Sequence, residues 1–184
     1  GLSDDQLLSR PLETSMTLGG LLKHLSFVED FWFGHLLAGR QPALPWADVD
    51  WDADPDWDWN SAADDDGDAL RALWQKAVAD SGAAWSELRA GDGFSLDSTV
   101  GGPGDEKAVR WVLTHMVEEY GRHCGHADQP AVGLRRLRPG HRHRRAAGAG
   151  AGGDGGDAAA DHEPGRTHGE HDFLRRHLLR RDVR

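Results

Sequence analysis

The sequence predicts an all-α fold, and three observations carry that expectation. Residues 17–38, 66–89 and 106–128 each repeat apolar side chains at three- and four-residue spacing, the period of an amphipathic helix. No segment reads as a credible strand. The stretch between the first two periodic segments holds Pro42, Pro45 and Pro55, which break regular structure, and a Gly-rich loop separates the second from the third. Three long helices are visible, and a fourth is normally needed to close a core of this kind.

The elements follow in order. Leu2 to Leu8 predicts a short helical turn with Ser3 as N-cap and Gln6 completing a capping box. In residues 17–38, Leu18, Leu21, Leu22, Leu25, Val28, Trp32 and Leu36 form one stripe. Thr14, Ser15 or Thr17 could cap that helix, and Gly39 stops it; the Gly19–Gly20 pair weakens its start. Residues 41–63 combine three prolines with alternating Asp and Trp, which predicts irregular chain. Tryptophans at 46, 51, 57 and 59 are too many for a solvated linker, so this loop should fold back over the bundle. Its acids lack the glycine and terminal Glu of a calcium loop and read as solvated. Residues 66–89 resume the helical period through Leu70, Leu73, Trp74, Ala77, Val78, Trp85 and Leu88. After a Gly-rich loop, residues 106–128 place Val109, Val112, Leu113, Met116, Tyr120 and Cys124 on an apolar face. On that face Cys124 is expected to be a buried, inert thiol.

Composition bounds the function. A formal charge of −10 argues against non-specific nucleic-acid binding. One cysteine fits a reducing compartment, and no apolar run approaches the roughly 20 residues of a membrane span. A soluble, cytoplasmic protein is expected. The chain also changes character near Pro130. All eight tryptophans and all three lysines precede it, whereas residues 131–184 hold twelve Arg, ten Gly and eight Ala.

The last predicted helix carries His115, Glu119, His123 and His126 along one face. At about 1.5 Å rise per residue, His115 and His123 stand roughly 12 Å apart, too far to share one ion. His115/Glu119, Glu119/His123 and His123/His126 could each chelate a metal. Two ligands leave the shell short, and His24, on the inward stripe with Leu21 and Val28, is the natural third. His35 near a helix C-terminus reads as structural, and Glu118 as solvated.

The segments LLKHLSFVEDFWFGHLLAG and WVLTHMVEEYGRHCGHAD resemble the DinB-like superfamily, in particular its actinobacterial mini-circle protein branch. The resemblance covers residues 1 to about 128. It implies a four-helix bundle and a divalent-metal site of His24, Glu119 and His123, with His115 and His126 as outer-sphere candidates. Glu119 departs from the commoner His, though mycothiol-dependent maleylpyruvate isomerase relatives also have Glu there. Zn, Ni, Fe and Mn all suit such ligands. The implied activity is a metal-dependent thiol S-transferase or isomerase acting on mycothiol, bacillithiol or glutathione and an electrophile. A Gly/Ala/Arg-rich composition suggests a high-GC genome and favours mycothiol. The competing class is a non-enzymatic, stress-associated metal- or ligand-binding protein; a homodimer fits either.

The resemblance also implies a first helix ahead of Gly1, without which the stripe of Leu21, Leu25, Val28 and Trp32 should lack part of its cover. The expected division is a partial bundle at 1–128 and an unrelated tail at 129–184. The tail reads as a frameshift product or, alternatively, as a genuine disordered, basic segment that binds acidic partners. It is expected to be structureless over 131–165 with an amphipathic stretch at 167–181, and its histidines are not counted as ligands.

Overall fold

The computed structural model describes residues 2–9, 16–101 and 106–136, with side chains to Asp128. Helix α1 spans Asp4–Leu8, and α2 spans Leu18–Glu29 and continues as a π-helix over Asp30–Leu37. A 3-10 turn at Trp46–Asp48 leads to the one-turn α3 at Trp57–Asn60 and a second 3-10 turn at Ser61–Asp64. Then come α4 (Gly67–Ala90), strands β1 (Thr99–Val100) and β2 (Lys107–Ala108), and α5 (Val109–Arg136). The all-α class stands. No helix among the described residues is long and apolar enough to cross a membrane.

Local chemistry accounts for the boundaries. Ser3 and Gln6 form the expected capping box on α1. Thr17 caps α2, its hydroxyl accepting from Gly20 N at 2.9 Å. The π-helix closes with Ala38 N donating to Phe33 O at 3.1 Å, and Gly39 ends it at φ +64°, a conformation that favours glycine. This wider turn directs Phe31, Trp32, His35, Leu36 and Leu37 all inward. His35 Nδ1 donates to the Arg40 carbonyl at 3.0 Å and so ties the helix end to the following loop. Two acids start α4: Asp66 Oδ1 accepts from Ala69 N at 2.7 Å, and Asp4 Oδ1 from Gly67 N at 2.9 Å.

The core lies among α2 with its π extension, α4 and α5, roofed by the tryptophan-rich loop. Phe27 packs against Trp51 at 4.6 Å and Trp46 at 5.3 Å between ring centroids. Val28, Phe31, Trp32, Leu36, Leu37, Val109, Val112 and Met116 complete the cluster.

Several expectations are corrected. Residues 41–63 are not wholly irregular, because one short helical turn follows Pro45 and two more follow Pro55. A strand pair does form: Thr99 and Val100 pair antiparallel with Ala108 and Lys107. Two residues a side show no alternation in sequence, so this ladder was not legible, and it only closes the loop before α5. Leu21, Leu25, Val28 and Trp32 are all buried. Helix α4, the folded-back loop and α5 all pack against α2 and its π extension, so this stripe is covered where an exposed face was expected. Cys124 is exposed rather than buried, since α5 turns His123 inward and thereby carries the next residue about 100° away. Finally, α5 runs to Arg136, past the expected end at 128, because Ala131, Leu134, Arg135 and Arg136 are good helix formers despite Pro130. The rest of the stretch to 165 and the amphipathic 167–181 lie outside the described residues.

Candidate metal centre

His24 projects from the middle of α2, and Glu119 and His123 project one turn apart from the facing side of α5. The i,i+4 spacing on α5 stacks the carboxylate and the imidazole on one face. Ligand atoms of His24, Glu119 and His123 all lie within 4.8 Å of one another, and all three residues are buried. Glu119 Oε1 accepts from His123 Nε2 at 2.7 Å and from His24 Nε2 at 3.2 Å. Its other oxygen, Oε2, accepts from Arg122 Nη1 at 2.6 Å. Two imidazole nitrogens thus converge on a single carboxylate oxygen.

The electrostatics are those of a tightly coupled cluster. Burial would lower the pKa of His24, but the hydrogen bonds and charges of Asp58 and Glu119 outweigh it and push it up to about 9. Burial would raise Glu119, yet the bonds and charges of His123 and His24 hold it well below the usual carboxylate range. Burial lowers His126, reinforced by His123 and Arg122.

Around this trio the structure adds residues that the sequence did not single out. Asp58 Oδ2 stands 2.6 Å from His24 Nδ1, and the Trp59 ring stacks on His24 at 4.4 Å and 24°. Nothing in the sequence separates Asp58 from the other acids of its loop. Arg122 was recoverable, because it lies three residues after Glu119 on the same helix. His126 Nδ1 lies 3.4 Å from His123 Nδ1, beside the trio but outside it. His115 is placed elsewhere. It stacks on Trp111 at 4.9 Å and meets Trp32 edge-on at 4.6 Å. Glu118 faces solvent.

A carboxylate and two imidazoles suit a borderline divalent ion. Ligand atoms bound to zinc at about 2.0–2.2 Å stand roughly 3.4 Å apart in a tetrahedral shell. The ligand atoms of the trio all lie within 4.8 Å of one another, separations of the same order as in that shell.

A helical bundle with two histidines and a glutamate converging between its first and last long helices is a DinB-like fold. The family model for mycothiol-S-transferase matches residues 1–129, and the chain belongs to that family. No curated protein and no solved structure shows a significant match.

Proposed function

We propose that this protein is a divalent-metal-dependent mycothiol S-transferase whose ion is held by His24, Glu119 and His123. The observation that supports it is the convergence of two buried imidazole nitrogens on one oxygen of buried Glu119, in a chain of the mycothiol-S-transferase family. When bound, the ion lowers the pKa of the thiol cosubstrate and makes a thiolate nucleophile available at neutral pH. Three protein ligands leave a four-coordinate ion one position for that sulfur.

The chain's own residues supply the rest. Glu119 is the anionic ligand. Arg122 occupies its second oxygen, so that Oε1 alone is offered to the ion. Burial of all three ligands excludes competing water and strengthens each electrostatic contact. The reading also takes residues 1–128 as the working unit and a reducing cytoplasm as its compartment. Zn, Ni, Fe and Mn remain the candidate ions.

The test is elemental analysis of the purified protein, followed by thiol consumption with mycothiol and an alkylating electrophile. About one ion per chain and metal-dependent loss of thiol are expected. Bound metal with no thiol turnover favours the non-enzymatic binding protein. No bound metal removes the basis of the reading.

A further inference from the structure

We infer that Asp58 and Trp59 clamp His24, fixing its tautomer and ring orientation so that Nε2 alone faces the ion. The inference rests on the reading of His24 as a ligand. A metal-bound imidazole needs its second nitrogen protonated and held, and the partner there sets both the tautomer and the basicity of the ligand.

Three independent features converge on this ring. Asp58 is 0% exposed, its Oδ2 takes the Nδ1–H of His24 at 2.6 Å, and its Oδ1 has no hydrogen-bond partner. A carboxylate this deep is costly unless paired, and His24 is its one hydrogen-bonded partner among the described residues. Trp59 covers the ring face at 4.4 Å. The third feature lies one turn earlier on α2. A Cβ at Gly20 would stand 3.2 Å from Trp59 Cε3 and 3.3 Å from Trp59 O, tighter than ordinary packing. Glycine near a helix start sacrifices helix propensity. Here that sacrifice lets α3 approach closely enough to grip His24.

The other histidine is held differently. Among the described residues, the Nδ1 of His123 has as its hydrogen-bond partner another imidazole nitrogen, that of His126, at 3.4 Å. His24 is therefore the fixed ligand and His123 the adjustable one. Asp58 and Trp59 are positioning residues, since neither offers an atom to the ion.

The experiment is zinc titration against a competing chelator for the full chain and for Asp58→Asn, Gly20→Ala and His126→Ala. Asp58→Asn keeps the shape of the side chain and should weaken zinc binding about 10–100-fold. Gly20→Ala should weaken it in the same direction, because the added methyl group meets Trp59 at 3.2 Å and displaces it from His24. His126→Ala should cost less than Asp58→Asn. Long-range nitrogen NMR of the zinc-loaded protein should show His24 with a protected Nδ1–H, lost in Asp58→Asn. Zinc affinity of Asp58→Asn within twofold of the parent, with that proton retained, overturns the clamp and leaves the metal site standing. Failure of the parent chain to bind zinc overturns the site itself, and the clamp with it. Should Asp58→Asn not fold, Gly20→Ala decides: unchanged zinc affinity there overturns the clamp.

Discussion

The Tyr120 hydroxyl donates to Glu29 Oε1 at 2.7 Å and accepts from Trp74 Nε1 at 3.1 Å, so one phenol joins α2, α4 and α5. Glu29 is buried, and Ser81 on α4 donates to its carbonyl at 3.2 Å. Burial and the neighbouring Glu29 both raise the Tyr120 pKa, which keeps the phenol a donor at any ordinary pH. Tyr120 is adjacent in sequence to Glu119, and Glu29 lies five residues beyond His24. The network therefore sets how the two ligand-bearing helices sit against each other.

Replacing Tyr120 by Phe leaves the buried Glu29 carboxylate without this donor. Hydrogen bonds to charged groups contribute about 1.5–3 kcal/mol, so urea unfolding should show a loss in that range. Metal stoichiometry should stay near one per chain, because the ligands themselves are untouched. A loss under about 0.5 kcal/mol would show that the network is not a structural tie.

The helices and the ligand trio were legible because both obey a helical period. Leu21, Val28 and Val112 repeat like any core stripe, and Glu119–His123 is spaced to share one helix face. The face of α5 was read partly wrong, with Cys124 placed on its apolar side, whereas Tyr120 does pack against the core. Its inward face actually ends in Glu119 and His123, which a hydrophobicity pattern counts as solvent-facing. Asp58 was illegible for a related reason. An acid among many acids gains meaning only when α3 folds it against His24, and that contact spans 34 positions of sequence.

Substitutions at the histidines should separate ligand from bystander. His24→Ala or His123→Ala removes a donor that no neighbour replaces from the same direction, and each should abolish metal binding. Glu119→Gln should weaken binding by removing the anionic ligand. His115→Ala opens a gap between Trp111 and Trp32 instead. It should lower stability by about 1–2 kcal/mol with the metal retained. Elemental analysis and thermal melts on the four variants distinguish these outcomes, and metal retained in both His24→Ala and His123→Ala rules out this trio.

A chain ended after Arg136 keeps every residue of the core cluster and of the trio. If residues 1–128 are the working unit, that shortened chain should bind the same amount of metal. It should also melt within about 2 °C of the full chain, the shift that a few tenths of a kcal/mol would cause. Loss of metal on truncation would assign the segment beyond 136 a part in the site.

In the metal-free protein the raised pKa of His24 makes stability depend on pH with a definite sign. Its folded value, about 9, lies above the ordinary histidine value of 6.5, so the folded state binds this proton more tightly than the unfolded state. That contribution is fully present below about pH 6.5 and is lost as pH rises through about 9. Glu119 acts in the opposite direction: its lowered pKa contributes stability above the ordinary carboxylate range, lost only as pH falls through its folded value. Between pH 6.5 and 9 the two do not cancel, and the melting temperature of chelator-treated protein should decline across that interval. The same proton must leave Nε2 before that nitrogen can ligate an ion. Calorimetry in buffers of different ionisation enthalpy should therefore show about one proton released from His24 per ion bound near pH 7.5. Added metal should also flatten the decline in melting temperature, because the ion then takes the place of the proton. A metal-free melting temperature that is constant from pH 6.5 to 9 would mean that His24 is not held between Asp58 and Glu119 in solution.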